Sequence, residues 1–597
     1  MGLLFPQPTF CILVSLPLSV QFMSPRSVLL VIAALLIGGS SAPMADLVLT
    51  NGTVVTLDET RGGAEALAVA GDTILAVGSA DEIDAYTGAD TRVIDLDGRL
   101  AVPGFIEGHG HFMGMGEAQM QLGLLGTSSW DQVVAKVDSA TGAAASGTWV
   151  EGRGWHQEKW SSTPDRMVRG FPTNVRLNEV APDTPVYLTH ASGHAAVAND
   201  AALDVAGIGP NTPDPEGGTI VRDAQGRATG VLLETAEGLV QEAIEASRQS
   251  MSAEERRERR ETQVRLAAQE ALANGVTSFH DQGASFETIE LYREMAERGD
   301  LSIRMYAMVS QSEVTPETQD RLAETRTVGA ADHHLTVRSI GEVTVDGALG
   351  SRTAWMLEPY NDAPNSTGTN VTSMERVREI AEIGLEEDYQ VVVHAIGDRA
   401  NRETLDLYAS LFDEAGVNGE KRRWRVEHAQ HLHPDDIPRF ADLGVMASMQ
   451  AIHACSDAPY NYKRLGAERV EGGAYPWKTL WNDGAIVGNG TDVPVEKIDP
   501  LASYHCTVTR QVPGTDTTFT PDETLTRRQA LKSYTINNAR MAFAEDEKGT
   551  LTSGKLADVT VLSDNILEIP ADQIRDTQVD LTILGGEVVY QGKASSK

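Results

Sequence analysis

Five residues spread along the chain have side chains that bind divalent metal ions. They are His109, His111, His394, His428 and Asp492. His109 and His111 are two residues apart, so on an extended segment both imidazoles point to the same side and can meet one ion. A pair of this kind is weak by itself, but the other three residues each follow a predicted strand. We therefore predict a centre for one or two divalent ions, with zinc as the expected metal.

Such a centre would serve hydrolysis. A divalent ion lowers the pKa of bound water from about 15.7 to near 7, which supplies hydroxide at neutral pH, and it polarises the carbonyl under attack. Asp492 lies in a glycine-rich turn, residues 488–494, where a carboxylate can approach the ion closely. We expect Asp492 to take the proton of the attacking water and pass it to the leaving nitrogen.

The composition excludes several other classes of function. The chain has 597 residues and a formal charge of -36, which argues against nucleic acid or an anionic membrane surface as a partner. Its only cysteines are Cys11, Cys455 and Cys506. A zinc site made of several thiolates is therefore excluded, and at most one disulfide pair remains once Cys11 is set aside with the N-terminal segment. The expected partner is a small-molecule substrate, and the sequence leaves homo-oligomer formation open.

The N-terminus has the three parts of a secretory signal peptide. Arg26 precedes an apolar run over residues 28–37, and small residues follow over 38–45. We predict that residues 1–45 are a signal peptide, with Met23 as a candidate start and cleavage near Ala42 or Ala45. The protein would then be periplasmic or secreted. An uncleaved membrane anchor is the alternative.

Both ends of the mature chain are rich in short strands and tight turns. A hairpin is predicted around Asn51-Gly52, another around Gly71-Asp72, and a third around Gly585-Gly586 near the C-terminus. We therefore predict a small β-sandwich domain built from residues 46–103 together with residues 545–597.

The middle of the chain, residues 104–544, alternates between helix and strand. Ser252 and Glu255 form a capping-box pattern that opens a helix ending near residue 272, and a strand follows over residues 276–279. The unit recurs, and ligand-type residues stand just past the strand ends. This predicts an α/β fold of the (β/α)₈ TIM-barrel type, whose active site lies at the carboxyl ends of the strands. A doubly wound open sheet is the alternative, but a glycine-rich dinucleotide loop is not found.

A series of short motifs resembles the amidohydrolase superfamily, and within it the amidohydrolase-3 group that includes N-substituted formamide deformylases. The motifs occupy residues 103–111, 152–155, 217–218 with 230–232, 346–352, 394–400, 425–430, 490–494 and 554–558. The resemblance covers nearly the whole mature chain. It implies a barrel with a β-sandwich from both termini and metal-dependent hydrolysis of a carbon–nitrogen bond other than a peptide bond.

Two positions depart from the pattern of that group. Its members commonly carry a lysine, whose carboxylated amine bridges two metals, where this chain has Glu342. We predict that the Glu342 carboxylate bridges the two ions itself, and the alternative is one ion with Glu342 outside its ligand set. Glu107 replaces the aspartate usual before the first histidine pair. We predict that it hydrogen-bonds a ligand histidine without touching the metal.

Substrate contacts are harder to predict. An insertion over residues 148–234 covers the pocket in the resembling group and contains Trp155 and His194. These two residues and His453 are predicted to bind substrate, with a structural role as the alternative for each. His156, Gln157, His280 and Arg352 are weaker candidates. Five further histidines are predicted to be solvated: His333, His334, His431, His433 and His505.

The leading functional prediction is hydrolysis of an amide-type bond, such as that of an N-acyl or N-formyl compound. Deamination of a cyclic amidine or hydrolysis of an ester would use the same residues. A non-catalytic exported protein with a binding or regulatory role is the competing class, but such a protein would be expected to lose metal ligands, and all five are present here.

Overall fold

A computed structural model describes residues 43–60, 62–124, 126–142, 148–157, 160–190, 195–215 and 217–592 of the chain. Most of the predicted signal peptide, residues 1–42, lies outside the described residues. Over the described ranges, none of the helices has both the length and the apolar character needed to cross a membrane.

Eight parallel strands form the centre of the fold, and each pairs with the next one along the chain. In order they are Phe105–Gly110, Val276–Ala284, Arg304–Val309, Leu335–Thr344, Gln390–Ala395, Arg425–His428, Met446–Met449 and Val487–Asn489. The two ends of this sheet meet where Gly110 forms a parallel bridge with Val493. The barrel is therefore nearly closed, which confirms the predicted α/β barrel and excludes the open doubly wound sheet.

Helices connect the strands, because parallel neighbours need a crossover between them. The crossover helices with at least six residues are Phe112–Met120, Trp130–Thr141, Val175–Val180, Asp200–Val205, Gly238–Ser250, Ala253–Ala273, Phe286–Glu297, Gln319–Thr325, Met374–Glu386, Asp398–Ala415, Ile437–Leu443, Ala451–Leu465, Ala467–Gly473 and Trp477–Asn482. Three more follow the last barrel strand: Pro500–Thr509, Arg527–Ser533 and Ile536–Met541. The predicted capping box is confirmed, since Ser252 Oγ accepts from the Glu255 N–H and the Glu255 carboxylate accepts from the Ser252 N–H.

A disulfide joins two helices that follow the seventh and eighth barrel strands. It links Cys455 in Ala451–Leu465 to Cys506 in Pro500–Thr509. This is the single pair that the cysteine count allows. Because the cysteines are 51 residues apart, the bond restricts a long loop of the unfolded chain and so favours the folded state.

Two further sheets contain the strands near the chain ends. One has the order Thr73–Gly78, Ala66–Ala70, Leu47–Thr50 and Arg92–Asp95, and the other Thr53–Val54, Leu100–Pro103, Val559–Leu562, Val579–Leu584 and Glu587–Gln591. The second sheet thus combines strands from both ends, and a hydrophobic cluster contains buried residues of both sheets. The assignment of these sheets as a β-sandwich domain remains a prediction.

The hairpin predicted around Asn51-Gly52 is wrong. Leu47–Thr50 pairs with one strand on each side, Ala66–Ala70 and Arg92–Asp95, so it has no free edge. Thr53–Val54 instead joins the other sheet, next to Leu100–Pro103. The two other predicted hairpins, around Gly71-Asp72 and Gly585-Gly586, are confirmed as antiparallel pairs.

A separate six-stranded sheet occupies the region between the first barrel strand and the helix Gly238–Ser250. Its order is Gly218–Arg222, Ala228–Glu234, Ala195–Ala198, Val186–His190, Val150–Trp155 and Leu122–Gly123. The predicted insertion thus has its own sheet and its own buried cluster.

Candidate metal centre

The six predicted ligands all lie at or just past the carboxyl ends of barrel strands. His109 is in the first strand and His111 directly follows it. Glu342, His394 and His428 are in the fourth, fifth and sixth strands, and Asp492 follows the eighth. Because the strands are parallel, their carboxyl ends meet at one face of the barrel. Residues up to 383 positions apart in sequence are therefore brought together there.

One group of ligand atoms surrounds the Asp492 carboxylate. Its Oδ1 lies 3.2 Å from His111 Nε2 and 3.5 Å from His109 Nε2. The His111 side chain is 35% exposed, whereas that of His109 is fully buried. The His111 side of this group is therefore the one that solvent or a substrate can reach.

A second group surrounds the Glu342 carboxylate. Its Oε2 lies 3.5 Å from both His394 Nδ1 and His428 Nε2, and 3.9 Å from His109 Nε2. Ligand atoms within 4.8 Å of one another occur in three sets: His109–His111–Glu342, His109–His428–Asp492 and Glu342–His394–His428. Glu342 and His109 each belong to two sets, so the sets adjoin one another.

The residues fit a metal ion on two counts. Three buried polar atoms without a hydrogen-bond partner lie close together here: His109 Nε2, Glu342 Oε2 and Asp492 Oδ1. Buried polar atoms destabilise the fold unless a donor, an acceptor or an ion binds them. Imidazole and carboxylate are also the ligands that zinc accepts when thiolates are missing.

The charges in the centre favour a bound cation. Burial opposes ionisation of the Glu342 carboxyl, but the His109 and His394 rings outweigh burial and hold its pKa well below the usual range. Burial also opposes protonation of His109, yet Glu342 and Asp492 raise the pKa of this ring well above its usual value. The protons that these carboxylates attract to the histidine rings compete with a metal ion for the same ring nitrogens. Metal binding should therefore weaken as the pH falls.

A buried ion pair between Arg425 and Glu427 holds the His109 ring at its Nδ1 atom. Glu427 Oε2 accepts from His109 Nδ1 at 2.5 Å, and Glu427 Oε1 accepts from Arg425 at 2.6–2.7 Å. Arg425 also donates to the Gly108 carbonyl at 2.9 Å, and both charged residues are fully buried. With Nδ1 as donor to Glu427, the His109 ring has Nε2 free for a metal.

The contact of Glu427 with the His109 ring was not predicted from the sequence. The available signal was the spacing of Arg425 and Glu427, since two charged residues two apart in a buried strand share a face and must be paired there.

Replacing Glu427 by glutamine should weaken metal binding about 10- to 100-fold, the usual cost of losing such a support. The amide can still accept from His109 Nδ1, but it removes the charge that makes the ring a better ligand. Zinc affinity by chelator competition measures the effect, with thermal unfolding to check the fold around Arg425. Glu547→Gln is the matched control, because Glu547 lies 3.0 Å from a ring nitrogen of the partly exposed His333. An affinity unchanged in both variants would contradict this role.

His428 and His111 are held by uncharged groups, whereas His394 lies next to the Asp346 carboxylate. His428 Nδ1 lies 2.7 Å from Gln450 Oε1, and His111 Nδ1 lies 3.2 Å from the Gln282 carbonyl. Asp346 is also fully buried, and its carboxylate accepts the N–H groups of Ile396 and Gly397, just after His394. Burial raises the pKa of Asp346 to about 6. Asp346 therefore fixes the loop that carries His394, a role that the sequence reading also missed.

Glu107 makes the predicted hydrogen bond to a ligand histidine through the backbone of His109 and not through its ring. The Glu107 carboxylate accepts from the Thr491 N–H at 2.5 Å and lies 3.2 Å from the Thr491 hydroxyl. Burial raises the pKa of Glu107 to about 8. Glu107 therefore supports the turn next to Asp492 and the backbone of His109, whereas Glu427 holds the His109 ring.

The candidate substrate residues have different outcomes. Trp155 is fully buried within the cluster of the insertion and donates to the Leu188 carbonyl, which favours the structural alternative for this residue. Next to it, the His156 ring packs against His190. His194 lies outside the described residues. His453 reaches the centre, with Nε2 3.8 Å from Asp492 Oδ2.

Four weaker predictions are also decided. His280 lies inside the barrel against Arg425 and Tyr306, below the mouth where it was expected. Arg352 forms two hydrogen bonds to Asp362, at 2.9 and 3.1 Å, which favours the loop-fixing alternative. His431 and His505, predicted to be solvated, are 3% and 5% exposed because their loop and helix pack inwards. Burial lowers the pKa of His431 to about 3.

With this geometry in view, the comparison with known protein families is decisive. The model described as amidohydrolase family matches residues 92–590. The chain belongs to the amidohydrolase family. Members of the amidohydrolase family are typically metal-dependent, and the match places this chain among the hydrolases, in agreement with its histidine and carboxylate centre.

Individual amidohydrolase relatives cover almost the whole chain. Protein LONG AFTER FAR-RED 3 of Arabidopsis thaliana is 33% identical over 561 residues, which is 92% of both chains. The N-substituted formamide deformylase of Arthrobacter pascens is 27% identical over 563 residues, covering 92% of this chain and 99% of that enzyme. The crystal structure of an uncharacterized metal-dependent hydrolase from Pyrococcus furiosus matches with a TM-score of 0.68 and 26% identity, covering 87% of this chain and 100% of that one.

Proposed function

We propose that this amidohydrolase cleaves a carbon–nitrogen bond of the amide type, such as that of an N-acyl or N-formyl compound, with two divalent ions bound. The observation that carries the proposal is the position of Asp492, whose carboxylate lies within 3.5 Å of two ligand-type histidines at the open face of the barrel. The similarity to a formamide deformylase supports the choice of bond.

Each residue would have a separate task. His109, His111 and Asp492 would hold one ion. His394 and His428 would hold the other, and Glu342 would be a ligand to both. The bound ions would activate water and polarise the carbonyl under attack. Asp492 would accept the proton of the attacking water and deliver it to the nitrogen as the carbon–nitrogen bond breaks. We propose zinc as the metal, because it suits this mixture of imidazole and carboxylate.

We also propose that the protein works outside the cytosol. The Cys455–Cys506 disulfide supports this, since such bonds persist mainly in oxidising compartments.

The proposal is tested by metal analysis together with a substrate panel. Purified protein should contain about two zinc equivalents, and chelation should remove its activity. The panel would contain 4-nitroformanilide and 4-nitroacetanilide as amides, 4-nitrophenyl acetate as an ester, and a cyclic amidine. Turnover of the anilides supports amide hydrolysis, whereas turnover of only the ester or only the amidine would replace it. Less than half an equivalent of metal, with activity unaffected by chelation, would overturn the centre itself.

A further inference from the structure

His453 lies beside the metal centre but outside its three ligand sets. It is in the first turn of the helix Ala451–Leu465, which directly follows the seventh barrel strand. The residue is 7% exposed, and its Nε2 is buried without a hydrogen-bond partner. Its ring is parallel to that of His428, with the ring centres 6.3 Å apart. A buried polar atom of this kind calls for a hydrogen-bond partner, and the described residues do not supply one.

The two oxygens of Asp492 face different partners. Oδ1 faces His109 and His111, whereas Oδ2 faces His453 Nε2 at 3.8 Å. This distance is too long for a hydrogen bond. His453 Nε2 therefore borders the space next to the carboxylate oxygen that is turned away from the ligand histidines.

Gln430 determines which ring nitrogen of His453 carries the proton. The amide Nε2 of Gln430 lies 3.1 Å from His453 Nδ1. An amide nitrogen can only donate, so Nδ1 accepts, and a neutral imidazole then has its single proton on Nε2. The ring nitrogen that faces Asp492 Oδ2 is therefore an N–H donor.

We propose that His453 is a catalytic residue whose Nε2–H hydrogen-bonds the carbonyl oxygen of the substrate. The inference rests on the proposed hydrolysis. When the water oxygen bonds to the carbonyl carbon, the carbonyl π electrons move to its oxygen, which becomes negative. The Nε2–H stabilises this charge without transferring its proton. The proton of the water goes to Asp492 and then to the leaving nitrogen as the carbon–nitrogen bond breaks.

The first test removes the donor. His453→Ala should lower kcat on 4-nitroformanilide about 10²- to 10³-fold, as expected for one lost donor to a developing oxyanion. The zinc content and KM should change little, because the donor is neither a ligand nor a major contact in the ground state. His433→Ala is the control, since His433 is a partly exposed histidine near the same barrel end. A loss of less than threefold, or a loss that parallels a loss of zinc, would overturn the proposal.

The second test keeps the His453 ring but is designed to move its proton from Nε2 to Nδ1. Gln430→Glu replaces the donor to Nδ1 by a carboxylate that can only accept, so the neutral ring carries its proton on Nδ1 and Nε2 becomes an acceptor. Activity is therefore compared across a pH series, because a doubly protonated ring would keep its Nε2–H. Gln430→Glu should therefore lose nearly as much activity as His453→Ala. His453→Asn, which retains an N–H donor, should be more active than His453→Ala. Full activity of Gln430→Glu would contradict the assigned donor.

Binding of a tetrahedral anion tests the role of His453 independently of which bond the enzyme cleaves. The probe is 4-nitrophenyl methylphosphonate, whose charged oxygens resemble the oxyanion, and its affinity for the zinc-loaded protein is measured by calorimetry. His453→Ala should weaken its binding by a factor close to the loss in kcat/KM. If the wild type hydrolyses only the ester, the amide proposal fails, and both His453 tests are then carried out with 4-nitrophenyl acetate as the substrate. Equal phosphonate affinity in wild type and variant, or binding to neither, would overturn the role of His453.

Discussion

Replacing Asp492 by asparagine should lower kcat on 4-nitroformanilide about 10²- to 10⁴-fold, the usual contribution of a general acid–base group. The amide keeps an oxygen that can face the His109 and His111 rings, at the position 3.2–3.5 Å away, but it cannot accept the proton of the attacking water. The loss should be larger for the anilide than for 4-nitrophenyl acetate. An anilide nitrogen must be protonated to leave, whereas 4-nitrophenolate leaves as an anion.

Steady-state kinetics on both substrates measure this difference, and metal analysis separates the two roles of Asp492. Asp435→Asn is the matched control, because Asp435 is an aspartate whose side chain is 86% exposed. Equal losses on anilide and ester, accompanied by loss of one zinc, would show that Asp492 acts only as a ligand. An unchanged kcat would remove Asp492 from the mechanism.

Replacing Glu342 by alanine should reduce the zinc content from two equivalents towards one. Glu342 Oε2 faces His394 and His428 at 3.5 Å, and His109 at 3.9 Å, so its loss leaves the second ion with two imidazoles and no charge compensation. Glu342→Gln should lie between alanine and wild type, because it keeps the oxygen but removes the charge. Metal analysis after dialysis against trace zinc measures the effect.

Glu342→Lys is a sharper version of the same experiment. A lysine carboxylated by bicarbonate would restore a bridging carboxylate, so the second zinc should return only when bicarbonate is present. Glu358→Ala, at an exposed position, controls for the loss of one acidic residue. Two zinc equivalents in Glu342→Ala would contradict a bridging role and leave Glu342 as a neighbour of the ions.

The barrel could be predicted because its signals are local. The Ser252 capping box and the alternation of buried strands with amphipathic helices depend on residues a few positions apart, and the structure has them where expected. The ligand candidates could be found for a related reason. Parallel strands place all their carboxyl ends on one face, so His394, His428 and Asp492 need only follow their own strands to meet.

Other features depend on contacts between residues distant in sequence. Asn51-Gly52 has the local pattern of a hairpin, but Leu47–Thr50 already has neighbours on both sides and the chain must leave for another sheet. Trp155 resembles a substrate contact in sequence, but the neighbouring sheet buries it completely.

By itself, therefore, the sequence determined the barrel, the face that carries the site and the six residues with ligand chemistry. Which side chains contact one another was decided only by the tertiary structure. It paired the His109 ring with Glu427 and the His109 backbone with Glu107, and it placed His453 Nε2 near Asp492. The physical reason is that a residue type and its spacing specify which bonds a side chain can make. The partner is selected by packing, because every buried polar atom must find a donor, an acceptor or an ion within reach.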